Sequence, residues 1–523
     1  MSRRMKCVIA VGAVLACVAC AAAYLCLAGG IPSRYSERHA PPRIRPDYSG
    51  IIIPPNIAPL NFIVEEPAAA VRARITGQDG GRIDIAGDGA KVIIPPSAWK
   101  ELLRRNRGKQ IAADVYVKEA DGRWTKFDSI LNTVSQDAVD SHLVYRLVNP
   151  SIHNWGDLGL YQRNLETFDE REIIHRQKIQ NGCVNCHVFL NNNPDTFFFH
   201  VRSEGGPYAG GMVLVRDGKA VKVDTRTKFN PSPTAYSSWH PSGRIVASSV
   251  NRIKLFTHGA GPELRDQLDL CSNLVTIDMG TMQISPMRPA VDPMNLDTFP
   301  AWSPDGKFLY YCNSRAQWPN PQTTNAFPGM VYRDIMYDLM RISYDIDKGT
   351  WGQAEIVLSH QQAGKSILEP RISPDGRYAM LSLCEYGNVA VFQPGCTLYL
   401  LDLQSRELRR MSKEVSTGEC DSWHCWSSSG RWFVFASKRG DGMVSRPYLA
   451  YFDRDGREHK AFLVPQEDPA YYDSYLKSCN LPELVTGPVT ISERELVRVI
   501  TEPGPPQAVT GATPRTSTRP AQD

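Results

Sequence analysis

Apolar residues are distributed along this chain in two different ways. One uninterrupted, uncharged and almost wholly apolar run covers residues 7–31 and follows a basic start that holds Arg3, Arg4 and Lys6. The run is long enough for a membrane-spanning helix and exceeds the apolar core of a signal peptide, which is about 7–15 residues. We therefore predict that residues 1–31 form a signal anchor in the inner membrane, with the basic end in the cytoplasm and the remaining chain facing the periplasm.

Two other interpretations of this segment fit less well. The small residues at 19–23 can form a cleavage site, and Cys17 or Cys20 can be a poor lipidation cysteine. Either event would release the chain from the predicted helix, so cleavage stays open at the level of the sequence.

The rest of the chain alternates apolar and polar residues over short runs, and four of these runs share one phrase. Its clearest copies read Trp-Ser-Pro-Asp-Gly or Ile-Ser-Pro-Asp-Gly before an apolar stretch. Pro suits the second position of a turn, Asp or Ser bonds back to the backbone and Gly accepts the left-handed conformation. Each copy therefore predicts strand, tight turn and strand. The copies are residues 238–247, 301–310, 371–380 and 425–434.

Each copy is followed by a second predicted hairpin, the clearest of which turns at residues 404–405. Four strands per unit, repeated 54 to 70 residues apart, are typical of a β-propeller. We predict a mainly β protein whose propeller, of about six blades, covers residues 190–466. A β-sandwich with similar turns is the alternative. A degenerate copy at 193–201 supplies a fifth unit, and residues 51–180 or 467–500 can supply a sixth.

Further segments flank the predicted propeller. Residues 32–50, rich in Pro and Arg, predict a linker over the membrane surface. Residues 51–150 predict a small β-rich module with one helix at 97–107. Residues 151–200 carry the cysteine motif described below, and part of 155–182 predicts a helix that leads into Cys183. Residues 467–502 form a predicted closing segment, and residues 503–523, rich in Pro, Thr and Ala, predict a disordered tail.

Composition narrows the classes of function. The net charge is only +4 over 523 residues, and no long basic run follows Lys6, so nucleic acid is an unfavourable partner. Beyond the anchor and the motif, seven cysteines remain at irregular spacing. An odd, irregular set does not indicate a dense disulfide framework. One or two bridges in an oxidising compartment and buried free thiols are both compatible with it.

The most specific chemistry lies at residues 183–187, which read Cys-Val-Asn-Cys-His. This C-x-x-C-H spacing is the attachment signature of one covalent c-type haem. Each of the Cys183 and Cys186 thiols adds to a haem vinyl group, and His187 is carried beneath the iron as its proximal ligand. A zinc half-site, a redox dithiol and a plain disulfide are the alternatives. Zinc would require a second Cys/His pair of similar spacing, and a thioredoxin-like dithiol would require a βαβ context.

The second axial ligand is less well specified by the sequence. His200 is the nearest downstream histidine, on a predicted strand with Phe197, Phe198 and Phe199, and we predict it as the sixth ligand of the iron. Met212, His175 and an open sixth position are the alternatives. The choice affects the redox potential, because a thioether ligand raises it relative to a second imidazole.

The repeat phrase resembles that of TolB-type propellers over residues 190–466. The wider chain resembles a group of exported bacterial TolB-like proteins that carry C-x-x-C-H just ahead of the propeller. The phrases that support the resemblance are residues 56–62, 159–164, 183–187 and, more weakly, 480–483. It implies six blades, protein partners and a haem at the entry of the first blade, and it gives a domain arrangement rather than an established activity. Peptidase relatives are excluded, since the chain has no Gly-x-Ser-x-Gly motif.

These observations favour an electron carrier over an enzyme. We predict a membrane-anchored, extracytoplasmic monohaem protein whose propeller docks a redox partner or another cytochrome of the cell envelope. The alternative is an envelope interaction scaffold in which the haem is structural or sensory. A third, weaker possibility is an oxidoreductase with a substrate in the propeller funnel, for which the sequence offers no named residues.

Overall fold

The computed structural model describes residues 30–150, 157–202, 210–226, 232–261, 263–287, 292–319, 321, 331–387 and 389–501. The predicted anchor lies outside these residues except for its last two, and the predicted tail at 503–523 lies wholly outside them. No helix within the described stretches is both long and apolar enough to cross a bilayer. The chain divides into two compact units, and each is described by itself.

The first unit comprises the chain up to residue 138 together with residues 166–168 and 462–475. Its seven-stranded sheet is built from Ser36–Arg38, Ile52–Ile53, Ala70–Gly77, Arg82–Ala86, Gln110–Lys118, Trp124–Phe127 and Ile130–Val134. Its three-stranded sheet is built from Ile44–Arg45, Phe62–Val64 and Lys91–Val92. The short strand Phe462–Leu463 and the helix Tyr471–Ser474 also belong to this unit.

One helix of the first unit, Pro96–Arg105, matches the predicted helix at 97–107. Pro96 stands at its start, where a missing N–H costs nothing, and Trp99, Leu102 and Leu103 are its buried face. The predicted linker differs from the structure. Residues 32–50 contain two strands of this unit, so they are part of a folded module.

The second unit contains six sheets in the described residues, numbered here along the chain. Sheet 1 is Cys183–Leu190, Asn193–Arg202, Gly211–Arg216 and Lys219–Val223; sheet 2 is Ser237–Trp239, Ile245–Thr257, Arg265–Asp278 and Ile284–Pro286. Sheet 3 is Asn295–Trp302, Phe308–Arg315, Asp338–Asp345 and Thr350–Leu358; sheet 4 is Ser366–Ile372, Tyr378–Cys384, Thr397–Asp402 and Leu408–Arg410. Sheet 5 includes Asp421–Trp426, Trp432–Ser437 and Arg446–Tyr451; sheet 6 is Ser478–Val485, His142–Val148, Leu158–Asn164 and Glu170–His175.

Short helical segments join some of these strands. They are the α-helices His360–Ala363 and Glu493–Thr501 and the 3₁₀ turns Arg176–Ile179, Tyr332–Asp334 and Ala390–Phe392. The helix predicted within 155–182 is absent from the described part of that range, which holds two strands of sheet 6 and a single 3₁₀ turn. Cys183 therefore begins a strand directly after that turn.

The six sheets close into a ring. Separate apolar cores join sheet 6 to sheet 1, sheet 1 to 2, sheet 2 to 3, sheet 3 to 4 and sheet 4 to 5. Strand Ser478–Val485 of sheet 6 also contacts the first two strands of sheet 5. One further core collects side chains from every sheet, among them Cys186, Leu270, Phe299, Leu368, Trp423 and Leu481. This is a propeller-like arrangement, as predicted from the repeats.

The ring is completed by the two ends of the unit. In sheet 6, strand Ser478–Val485 pairs antiparallel with His142–Val148, more than 300 residues earlier in the chain. The predicted sixth unit thus draws on both of the regions that the sequence offered as alternatives. The two partners are short strands with buried faces, so the pairing buries apolar surface that neither segment covers alone.

The repeated turns have the predicted chemistry. Ser303 Oγ donates to Asp305 Oδ1 at 2.6 Å, and the backbone N–H of Phe308 donates to Ser303 Oγ at 3.0 Å. The turn glycine Gly306 has φ +71°, a conformation that an L side chain would strain. His240, which replaces the serine in its copy, shares a hydrogen bond with Ser242 Oγ at 2.7 Å and is a turn residue.

The strand that lines the ring centre, called the inner strand of each sheet, carries a shared bulge. The ladder shifts register at this point in sheets 1, 3, 4, 5 and 6. One residue at each bulge has positive φ, and these residues are Cys186, Phe299, Glu369, Trp423 and Leu481. A bulge re-aims the side chains that follow it. The five bulges therefore direct equivalent positions towards the centre of the ring.

Candidate functional site

The Cys-Val-Asn-Cys-His segment is the start of the inner strand of sheet 1. Cys183, Val184 and Asn185 pair in register with Arg202, Val201 and His200 of the next strand. The ladder then breaks until Val188, and Cys186 at the break has φ +30°. The motif is thus held on both sides by the ring and follows the same local geometry as the other inner strands.

Both thiols of the motif are reduced and buried. Cys183 and Cys186 are 9% and 6% exposed, and neither is in a disulfide. Burial raises the pKa of both thiols, against the opposing charges of Arg146 and Arg202. Cysteines of raised pKa stay protonated and react slowly. The folded ring therefore protects these two groups.

His187 is the least satisfied polar side chain of the motif. It is 3% exposed, and its Nε2 atom has no hydrogen-bond partner among the residues that the structure describes. Burial, with the nearby charge of Arg146, lowers the pKa of His187 to about 3. The ring is therefore a neutral imidazole with an unused nitrogen, and a metal ligand has to be in this neutral state.

Glu483, from the inner strand of sheet 6, faces this imidazole. Its Oε2 lies 3.9 Å from His187 Nε2, and its Oε1 accepts from the backbone N–H of Phe189 at 3.2 Å. Burial raises the pKa of Glu483 to about 7. Reasoning from the sequence missed this residue as part of the site. The one available signal was the phrase at 480–483, which belongs to the resemblance but carries no ligand spacing.

A cavity of about 410 Å³ lies beside the motif in the second unit. This is within the range of about 300–1,000 Å³ that small-molecule sites occupy. Cys186 is part of its wall, and Arg146, Arg265 and Asp266 bring charge to it. The apolar and aromatic part of its wall comes from Tyr236, Leu255, Phe256, Val389, Val391, Phe392, Trp423 and Leu481. It combines apolar walls with a few charged groups.

A second cavity, of about 30 Å³, adjoins the first, and His187 belongs to this smaller space. The two cavities share Cys186, Tyr236, Trp423 and Leu481 as wall residues. His187 does not line the larger cavity. Displacement of the shared side chains would join the two spaces and bring the thiol and the imidazole to one compartment.

The predicted sixth ligand lies on the other face of sheet 1. The His187 ring packs edge-on to Phe189 in the core shared with sheet 6, whereas the His200 ring packs edge-on to Phe198 in the core shared with sheet 2. Both His200 nitrogens are engaged: Nδ1 lies 3.2 Å from the Cys186 carbonyl oxygen and Nε2 lies 3.1 Å from Thr234 Oγ1. The structure thus places His200 next to the motif but not opposite the His187 ring.

The alternative sixth ligands are also outside the cavity. Met212 pairs with His200 across the sheet and lies in the core between sheets 1 and 2. His175 ends the outer strand of sheet 6, where Nε2 lies 2.7 Å from Asp157 Oδ1 and Nδ1 accepts from the backbone N–H of Gln177. Neither residue lines the 410 Å³ cavity.

Three other chemistry-bearing residues, Cys420, His424 and Cys425, make separate contacts. The Cys420 thiol lies 3.4 Å from the Val391 carbonyl oxygen, and the Cys425 thiol lies 3.3 Å from that of Trp426. His424 Nε2 lies 3.0 Å from the Met380 carbonyl oxygen. Within the described residues no group of three His, Cys, Asp or Glu side chains is arranged to hold a metal ion.

The residues around the motif fit a covalent haem in their chemistry. Two reduced thiols and a neutral imidazole with an unused nitrogen lie within five residues, and one thiol forms part of a wall rich in aromatic side chains. Arg146 and Arg265 offer guanidinium groups that suit the carboxylates of a haem. The fit is incomplete in one respect, because the thiol and the imidazole line different cavities.

No family model and no curated protein matches this chain. Among solved structures, an oligogalacturonate lyase from Vibrio parahaemolyticus is similar at 11% identity and TM-score 0.34, over 80% of this chain and 100% of that one. A luciferin-regenerating enzyme is similar at 11% identity and TM-score 0.33, over 61% and 94%. Kuenenia stuttgartiensis hydrazine synthase is similar at 12% identity and TM-score 0.27, over 50% and 76%. Similarities this weak carry no conclusion about activity.

Proposed function

We propose that this chain is a membrane-anchored, extracytoplasmic protein of the TolB-like propeller type that carries one covalent c-type haem and transfers electrons. The observation that supports the proposal is the position of C-x-x-C-H at the ring centre. There Cys186 borders a 410 Å³ cavity, and the adjoining His187 keeps an unused nitrogen. The anchor part of the proposal rests on residues 7–31 of the sequence.

Named residues have separate roles in this proposal. Cys183 and Cys186 hold the group through thioether bonds, and His187 supplies the proximal nitrogen. Arg146 and Arg265 neutralise its carboxylates. One-electron exchange is the chemistry that a bound haem supplies.

The protein environment tunes that exchange. Tyr236 and Trp423 line both cavities and exclude water from the space beside Cys186. Glu483 faces His187, and a carboxylate in this position stabilises the positive charge of an oxidised centre. A redox partner protein that docks on the ring completes the proposed function, and no residue for this contact follows from the geometry.

The experiment is production of the full chain together with haem-attachment machinery, followed by absorption spectra of the oxidised and dithionite-reduced protein. We expect one covalent haem per chain, retained after denaturation. A Cys183→Ala/Cys186→Ala double variant should lose it, and a Cys271→Ala variant, which removes a buried thiol of sheet 2, should keep it. Folded protein with no haem and with both motif thiols open to alkylation after unfolding would refute the proposal.

The sixth ligand is tested in the same preparation with His200→Ala. If His200 binds the iron, the variant loses the low-spin bands of the reduced spectrum and gains carbon monoxide binding. If it only holds the Cys186 carbonyl and Thr234, as the hydrogen bonds show, the low-spin bands persist. Reversible reduction by a donor cytochrome would then favour electron transfer over the scaffold alternative.

A further inference from the structure

Two cysteines meet at one end of a hairpin in sheet 4. Cys384 ends strand Tyr378–Cys384, and Cys396 immediately precedes strand Thr397–Asp402. The last recorded pair of this ladder is Leu383 with Thr397, so the next pair in register is Cys384 with Cys396. We propose that Cys384 and Cys396 form a disulfide bond in the mature protein.

The backbone geometry at this pair suits such a bond. The Cys396 N–H donates to the Gln393 carbonyl at 3.0 Å, and the Cys396 carbonyl accepts from the N–H of Asp421 at 3.1 Å. Cys396 therefore makes no ladder hydrogen bond to Cys384. Opposed residues of this non-hydrogen-bonded kind have Cα atoms about 4.5 Å apart, which lies within the range of about 4.4–6.8 Å found in disulfides.

The side chains are already directed at each other. Both residues are fully buried, and their thiols share a hydrogen bond. Two neighbouring thiols have other contacts, since Cys420 points at the Ala390 and Val391 carbonyls and Cys425 points at that of Trp426. The chain thus offers one oriented thiol pair in this region, and bond formation requires no change of backbone register.

The bond forms by thiol–disulfide exchange with a disulfide-bearing oxidant of the cell envelope, such as a dithiol oxidase. One thiolate attacks the oxidant's disulfide, and the second resolves the mixed disulfide. Cys384 and Cys396 lose two protons and two electrons in total, and the oxidant leaves as two thiols. Because both groups are inaccessible in the finished ring, the exchange takes place during folding. This inference depends on the export step of the proposed function but not on the haem.

The bond would fix one wall of the 410 Å³ cavity. The eleven residues between the two cysteines, 385–395, include Val389, Val391 and Phe392 of that wall. In the same loop, Tyr386 Oη donates to Asp266 Oδ2 at 3.0 Å and Gln393 Nε2 donates to it at 3.3 Å. The disulfide closes this loop at its base, so it reduces the freedom of the wall without entering the cavity.

The first test uses the wild-type chain exported to an oxidising compartment. The protein is unfolded with an alkylating reagent and no reductant, and it is then digested with trypsin. No Lys or Arg lies between residues 378 and 405, so both cysteines fall in one peptide, 378–406. We expect that peptide to carry no alkyl group and to weigh two hydrogens less than the dithiol. Cys271 and Cys312 should be alkylated.

The second test measures the unfolding midpoint with and without reductant. We expect reductant to lower the midpoint of the wild type and to leave the Cys384→Ser and Cys396→Ser variants unshifted. Cys312→Ser, which removes a fully buried thiol of sheet 3, serves as the control and should keep the shift. Alkylation of both cysteines in the exported wild type would overturn the inference. A missing haem in protein with an intact 384–396 bond would overturn only the proposed function.

Discussion

At the scale of single residues, the centre of the ring concentrates buried groups that titrate. Glu369 occupies the bulge position of sheet 4 that Cys186 occupies in sheet 1. Its Oε2 accepts from Ser382 Oγ and from the backbone N–H of Trp423, each at 2.8 Å, whereas Oε1 has no partner among the described residues. Burial raises the pKa of Glu369 to about 7. A carboxylate there is costly because only one of its oxygens is satisfied.

This residue predicts a pH dependence of stability. The folded carboxyl keeps its proton up to about pH 7, while the unfolded one, with an ordinary pKa of 4.5, loses it earlier. Folding therefore takes up a proton between these two values, and the free energy of unfolding falls as the pH rises through that window. Since one pKa unit corresponds to about 1.4 kcal/mol, the loss amounts to roughly 2–3 kcal/mol.

We expect Glu369→Gln to flatten this slope in urea unfolding measured from pH 4.5 to pH 8. Glu407→Gln, which alters an exposed carboxylate beyond the same sheet's third strand, should leave it unchanged. Parallel slopes in the wild type and in Glu369→Gln would contradict the assignment. Glu483 has the same sign of shift and remains in both proteins, so it cancels from the comparison.

The sequence identified Cys183, Cys186 and His187 but not the groups that face them. A haem motif has fixed spacing and is visible in one segment, whereas Glu483 and Arg146 reach the site from strands of sheet 6 that are distant in the chain. The expected approach of His200 followed from its nearness in sequence. In an extended pair of strands, however, neighbours in sequence can lie on opposite faces, and His187 and His200 do so.

At the scale of elements, one backbone device is written with different side chains in each sheet. The residue after each bulge is His187, Pro300, Pro370, His424 or Pro482. The Ser-Pro-Asp-Gly turns were recognisable because turn chemistry restricts residue type, whereas a bulge tolerates Cys, Phe, Glu, Trp and Leu alike. That is why the turns predicted the propeller-like fold correctly and why the equivalence of the haem motif to other inner strands did not emerge. The helix expected before Cys183 was wrong, because Ile173 and Ile174 are buried by strand pairing in sheet 6.

The closing strand is the element whose loss should be most damaging. Leu484 in Ser478–Val485 is 0% exposed, whereas Leu476, two residues before that strand, is 71% exposed. We expect Leu484→Ala to lower the free energy of unfolding by about 2–5 kcal/mol, because it leaves a cavity in the strand that joins both ends of the ring. Leu476→Ala should change it by less than about 0.5 kcal/mol. Chemical denaturation followed by tryptophan fluorescence measures both, and equal effects would contradict the closure.

At the scale of the whole molecule, the chain contains two units with separate apolar cores. In the first, Trp99 is 2% exposed and its Nε1–H donates to the Ile57 carbonyl at 3.1 Å. The proposed haem site belongs entirely to the second. Units with their own cores respond to core substitutions individually.

We therefore expect Trp99→Ala to destabilise the first unit by about 3–5 kcal/mol and to leave the reduced absorption spectrum of the haem-loaded protein unchanged. Calorimetry of the full chain measures the first effect. The exposed substitution Lys100→Ala, on the next residue of the same helix, is the control. A changed spectrum in Trp99→Ala would show that the site depends on the first unit.

The position of the last strand also imposes an order on biogenesis. Ser478–Val485 is the final part of the ring to leave the ribosome and to reach the far side of a membrane. Until it arrives, the inner strand of sheet 1 lacks Leu481 and Glu483 as neighbours, and its cysteines remain open to an attaching enzyme. Once it pairs with His142–Val148, the same thiols are enclosed and slow to react. The C-terminal strand thus acts as a clock for maturation, and a chain that shuts its ring too early is sealed without its prosthetic group.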